Sequence, residues 1–227
     1  MSKSQKGSSF ERDMCRYLSL LWTDQKDETL FWRTHSSGAR FTTLAKKGKH
    51  LAGQAGDVAA VDARGKRLLE VFTISLKRGY SGRTFQDLID ALAKTDKEGA
   101  KPEQEQAGWI REARQAEVDA GSLAWMIILR RDRRQPMVLI PLRFRFYLPM
   151  SKQKELGAIK PQFSMCVWIH NKAPLTATQK KKMTLKGRIK YNRSNKRSQT
   201  AVLGFPMDKF LEVIDKKTIL QIAKSNQ

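Results

Sequence analysis

The segment LEVFTISLKRGY, residues 69–80, places a carboxylate, a hydroxyl and an ammonium on a stretch that reads as a buried strand ending in positive charge: Glu70, Ser75 and Lys77. An acid and a lysine on one strand are the elements of a metal-dependent nuclease centre. There, carboxylate oxygens hold Mg²⁺, and the metal polarises a phosphoryl group and helps to generate hydroxide. A lysine beside it orients the water or stabilises the charge that develops on phosphate. Such centres place the acid two residues before the lysine, the position that Ser75 holds here. Side chains alternate along a strand, so Ser75 and Lys77 share a face with Leu69, Val71 and Thr73. Glu70 falls on the more apolar face with Leu68, Phe72, Ile74 and Leu76, where an unpaired carboxylate is costly.

The elements that must position these groups follow from periodicity. Phe10, Met14, Tyr17, Leu18 and Leu21 fall at helical spacing, and Ser8 with Glu11 fits a capping box at the helix start. LFWRTHSSGAR (30–40) reads as a short strand breaking into a Ser-Ser-Gly turn, and 41–56 as a Gly- and Lys-rich loop. Residues 57–77 read as a hairpin turning near Arg64-Gly65. Helices are expected at 85–96 and 102–121, the second stopped by Gly121. Strands are expected at LAWMIILRR, PMVLIPLRFRF and FSMCVWIH, and an amphipathic helix closes the chain. The order predicts an α/β or α+β domain with a central mixed β-sheet flanked by helices.

Composition sets the partner class. Lys and Arg number 44 against 22 Asp and Glu, a formal charge of +22, which calls for a polyanion. Residues 151–200 carry 13 of the basic groups and a single acid. This divides the chain into 1–150, a basic insertion or arm at 151–200, and a C-terminal helix within 201–227. No apolar run approaches the roughly 20 residues of a membrane span. The first residues lack the apolar core of a signal peptide, and two distant cysteines suit a reducing compartment, so a cytoplasmic setting is expected.

KGSSFERDM, RTHSSGAR, AGDVAAVD, the strand with Ser75 and Lys77, and EQAGWIREARQAEVDAGSLAWMIIL together resemble the archaeal Holliday junction resolvases and their phage-encoded relatives. These belong to the PD-(D/E)XK nuclease superfamily. The resemblance covers about residues 6–148. It implies a restriction-endonuclease-like fold, Mg²⁺ or Mn²⁺ as cofactor, branched DNA as substrate, a homodimer with two active sites, and a bacterial or phage-infected cell. By this resemblance Glu11 is the acid on the first helix and Asp57 the acid that starts a strand. The next acid is open between two alignments. One takes Glu70 as a migrated ligand, and the other takes Ser75-Leu76-Lys77 as Glu-x-Lys with its acid changed to serine.

A serine hydroxyl is a poor Mg²⁺ ligand. An impaired nuclease and a catalytically inactive DNA-binding or architectural protein are therefore both expected readings, with an RNA-binding protein as a third. Gln86 heads the helix after the motif, where relatives carry a polar residue. Phosphate contacts are expected from Arg33, Ser36, Ser37, Arg40, Lys46, Lys47 and Lys49 around the Ser-Gly turn. In the basic stretch 180–197 they are expected from Lys180, Lys181, Lys182, Lys186, Arg188, Lys190 and Arg193.

Overall fold

The computed structural model describes residues 3–34, 56–78, 103–131, 133–170 and 197–226. Helix α1, Lys3–Trp22, forms because Phe10, Met14, Leu18 and Trp22 recur along one side and are all buried there. It starts ahead of Ser8, so Ser8 and Glu11 lie inside the helix, and the expected capping box is not its N-terminus. Strand β1, Phe31–Arg33, pairs antiparallel with β2, Val58–Ala60, placing Arg33 opposite Val58.

The expected hairpin at Arg64-Gly65 is a helix instead. Helix α2, Ala63–Val71, begins at Asp62, whose carboxylate accepts from the Arg64 N–H. Gly65 lets this helix press onto β1 and β2, since a Cβ there would lie 2.8 Å from the Phe31 ring and 2.9 Å from the Ala60 Cβ. Strand β3 therefore starts only at Phe72 and runs to Arg78.

Helix α3, Glu103–Ala120, leads into β4, Ala124–Arg130, which lies parallel to β3. Then come β5, Met137–Pro141, a 3₁₀ helix at Leu142–Tyr147 and helix α4, Met150–Ile159. Strands β6, Phe163–His170, and β7, Arg197–Pro206, follow. The C-terminal region holds two helices rather than one: α5, Met207–Val213, and α6, Lys216–Ser225, the latter capped by Asp215.

The main sheet has five strands in the order β3-β4-β5-β7-β6, with β3 and β4 parallel and the other pairs antiparallel. It is the mixed sheet flanked by helices that the element order predicts. Residues 151–200 supply α4, β6 and the start of β7, so the fold has no boundary at 150. The stretch 171–196, which holds most of the basic arm, lies outside the described residues.

Two apolar layers cover the sheet. Phe72, Ile74, Leu76, Met126, Ile128, Val138 and Ile140 join Phe10, Leu18, Phe144, Phe210 and Ile222. On the other face Trp125, Ile127, Leu129 and Leu139 pack under Trp109, Ile110 and Ala113 of α3. Strand β4 is thus covered on both faces, which is why it reads as a near-continuous apolar run, whereas β3 alternates apolar Phe72, Ile74 and Leu76 with Thr73, Ser75 and Lys77. Phe72 anchors the first layer, its ring 4.6 Å from Phe144 and 6.5 Å from Phe210 between centroids.

Candidate active site

Strand β3 is an edge strand, and its unpaired side meets the chain just before β2. Backbone groups of alternate residues point to opposite sides of a strand, so those of Ile74 and Leu76 face away from β4. Asp57 takes both. Its N–H donates to the Ile74 carbonyl at 2.8 Å, and its Oδ2 accepts from the Leu76 N–H at 2.7 Å. Asp57 thereby clamps the small β1-β2 sheet to the main sheet directly beside Ser75. Thr34 holds it from the other side, its N–H on the Asp57 carbonyl at 3.2 Å and its hydroxyl on the Gly56 carbonyl at 2.9 Å.

Gly56 makes the approach possible. Its φ is +85°, and a Cβ would stand 2.4 Å from the Ile74 carbonyl oxygen. Both the left-handed backbone and the close contact require glycine.

The register of β3 on β4 pairs Ser75 with Ile127 and Lys77 with Leu129, placing both on the side covered by α3. Ser75 is buried, and the Lys77 side chain is mostly so. The Lys77 Nζ lies 3.5 Å from Oε2 of Glu112, a residue of α3. Glu11 approaches from α1 and faces Arg33, with Nη1 3.5 Å from Oε2. Arg33 also donates to the Ser8 hydroxyl, which explains what Ser8 does inside the helix.

The electrostatics join these groups into one site. Burial holds the Asp57 carboxyl above its ordinary range, against the Leu76 N–H and Lys77, while Glu112 pushes the same way as burial. Burial and then the negative charge of Asp57 raise Glu11, with Arg33 and Lys77 opposing. Beneath them the Cys15 thiol is pushed up to about 12, by burial first and then by Glu11 and Asp57, so it stays an uncharged packing group.

The structure brings Glu11, Asp57, Ser75 and Lys77 together, and it does not bring Glu70. Glu70 lies on helix α2, pairs with Arg67 at 2.9 Å and is exposed. It precedes the strand, whose site end at Leu76 is roughly 13 Å beyond Phe72 at about 3.3 Å per residue. A helical turn replaces the strand that would have carried Glu70 inward, so the expected migrated ligand Glu70 does not join the groups around Asp57.

Gln86, Ser36, Ser37, Arg40, Lys46, Lys47 and Lys49 lie outside the described residues, as do Lys180, Lys181, Lys182, Lys186, Arg188, Lys190 and Arg193. Of the expected phosphate contacts only Arg33 is described, and its side chain sits at the site against Glu11. Glu112 lies within the quoted stretch EQAGWIREARQAEVDAG, but nothing in the sequence assigns it a role, because only the packing of α3 brings it to Lys77. Thr34 and the φ of Gly56 are equally invisible there.

Among the described residues, no group of three or more His, Cys, Asp or Glu side chains forms a metal cluster. Asp57 and Glu11 suit Mg²⁺ as a pair of neighbouring carboxylates with raised proton affinity, since Mg²⁺ commonly takes one or two protein carboxylates and completes its shell with water and phosphate oxygens. No helix among the described residues is long and apolar enough to cross a membrane. No family model, no curated protein and no solved structure matches this chain.

Proposed function

We propose that the chain is a DNA-binding, Mg²⁺-dependent endonuclease of the PD-(D/E)XK kind, with branched DNA of the Holliday junction type as substrate and a homodimer as the acting form. The observation that carries the reading is the clamp of Asp57 on Ile74 and Leu76, which sets one carboxylate beside the Ser75-Leu76-Lys77 strand. An ordinary strand start has no need of a buried carboxylate whose proton affinity is raised by that burial.

In this reading Asp57 and Glu11 would hold the cation, which when bound would supply Lewis-acid polarisation of the phosphoryl group and a lowered pKa for bound water. Lys77 presents its ammonium to the scissile phosphate and stabilises the charge that grows on its oxygens as water attacks phosphorus and the P–O bond to the leaving oxygen breaks. Glu112 keeps that ammonium at the site mouth. The apolar layers behind Leu76 and Leu129 keep bulk water from the inner side.

One observation favours a second reading. Ser75 stands where the third acid belongs, and the described residues offer no three-carboxylate group. A protein that kept the fold and binds DNA without cutting it fits that gap.

The deciding experiment incubates the protein with a labelled four-way junction and a matched linear duplex, in Mg²⁺, Mn²⁺ or EDTA. Metal-dependent cuts in the junction support the nuclease. Tight, salt-sensitive binding with no cuts under any condition supports the binder, and no binding to either substrate overturns both.

A further inference from the structure

The turn between β4 and β5 carries a concentration of charge that the proposed chemistry does not use. Its sequence is Arg130-Arg131-Asp132-Arg133-Arg134, four guanidinium groups with one acid among them. Arg131, Arg133 and Arg134 are exposed. The turn is closed by the Arg134 N–H on the Arg131 carbonyl at 3.1 Å, and Arg133 has a φ of +65°, where glycine or asparagine is the usual occupant.

Its place in the fold gives this charge a meaning. The parallel register puts Arg130 opposite Arg78 and Leu129 opposite Lys77, with neighbouring strands about 4.8 Å apart. The turn therefore leaves the sheet at the same end as the Asp57–Lys77 site. At the opposite end of the same two strands Glu70 pairs with Arg67, and Glu117 with Arg143.

We infer that the Arg130–Arg134 turn is a second phosphate-binding surface, which grips the backbone of duplex DNA next to the scissile phosphate held at Asp57 and Lys77. The inference rests on the nuclease-fold reading for the identity of the partner. Guanidinium groups suit it because each presents a planar fork of donors to phosphate oxygens. A surface of this kind adds affinity and orientation without reading sequence.

The test uses the full chain and fluorescence anisotropy on a labelled linear duplex, over a salt series. It compares wild type with a triple variant (Arg131→Ser, Arg133→Asn, Arg134→Ser) and a triple lysine variant at the same positions. Each lost phosphate contact lowers the slope of log affinity against log salt by about 0.9. The neutral variant should therefore lose about 2 to 3 from the slope and bind at least about tenfold more weakly at fixed salt. The lysine variant should recover most of the affinity, because a phosphate contact needs the charge more than the fork. Thermal melting of each variant near that of wild type excludes a folding defect as the cause.

Unchanged slope and affinity in the neutral variant, beside steep wild-type binding, overturn this surface and leave the active-site reading intact. A variant that loses affinity for structured RNA while keeping duplex DNA overturns the choice of partner. Absence of DNA binding by the wild type overturns both the surface and the reading on which it rests.

Discussion

The Asp57 carboxylate accepts a 2.7 Å hydrogen bond from the Leu76 N–H, the residue between Ser75 and Lys77. Through that bond an acid that lies about twenty residues earlier in the chain is fixed against the strand that carries the lysine. The same clamp buries the acid and makes its charge costly.

Asp57→Asn should remove metal-dependent cleavage and raise the melting temperature at neutral pH. The folded-state pKa of Asp57 is raised, so its contribution to stability is full below the unfolded carboxylate pKa and is lost as pH rises through the folded value. Asparagine keeps an oxygen for the Leu76 N–H and carries no charge, so the gain over wild type should appear above that window and vanish in acid. Melting curves across pH check this, and a variant less stable than wild type at neutral pH would contradict it.

Mg²⁺ should raise the melting temperature of wild type and leave that of Asp57→Asn unchanged. A ligand that binds only the folded state stabilises by about 2.7 kcal/mol at a hundred times its Kd. Titration with Mg²⁺ under thermal melting reads this without requiring any cleavage. Equal shifts in both proteins would remove Asp57 from the metal site.

Lys77→Ala should lower cleavage by about a hundred- to a thousand-fold while leaving DNA affinity nearly unchanged, as expected for a donor that acts on transition-state charge. Glu112→Gln should cost only a few-fold, in line with an exposed ion-pair partner. Glu112 pushes the Asp57 proton affinity up, so its loss should also move the acidic limb of the pH–rate profile to lower pH. Single-turnover rates across pH measure both, and full activity in Lys77→Ala would withdraw its assignment.

Ser75→Glu places a carboxylate on the face shared with Lys77, where the proposed nuclease would hold its third acid. Cleavage in Mg²⁺ should appear or rise, and stability in EDTA should fall, because a further buried negative charge stands beside Asp57. A variant that binds DNA as wild type does and cuts no better would locate the defect elsewhere.

Gly56→Ala should unfold the site from its hinge. The added Cβ meets the Ile74 carbonyl at 2.4 Å in a backbone with φ +85°, a change worth roughly 3 kcal/mol of stability. A separate support stands at the far end of the sheet, where Glu117 accepts from the buried Trp125 N–H at 2.8 Å and pairs with Arg143. Glu117→Ala leaves that N–H unsatisfied and should cost about 1–3 kcal/mol. Denaturant titrations separate the two, since only Gly56→Ala should also disturb metal binding.

The sequence by itself determined the helix-first order, the mixed sheet flanked by helices and the large excess of positive charge, because apolar periodicity and net charge are local and additive properties. It also placed Glu11, Asp57 and the Ser75–Lys77 pair as candidates, since each lies within a short quoted motif. The turn at Arg64-Gly65 read as a hairpin because glycine punctuates strands. There, tertiary packing decided otherwise, as Gly65 fits a helix tightly against Phe31 and Ala60. That helix keeps Glu70 exposed and away from Asp57, which no count along the chain shows until the start of β3 is known. The boundary drawn at 150 followed a jump in charge, yet β6 and β7 complete the same sheet, because backbone pairing is indifferent to side-chain charge at exposed positions. Glu112, Thr34 and the Arg130–Arg134 turn acquire their meaning only from neighbours distant in sequence. Parallel pairing of β3 with β4 brings the turn to the site end, and the packing of α3 on that face brings Glu112 to Lys77.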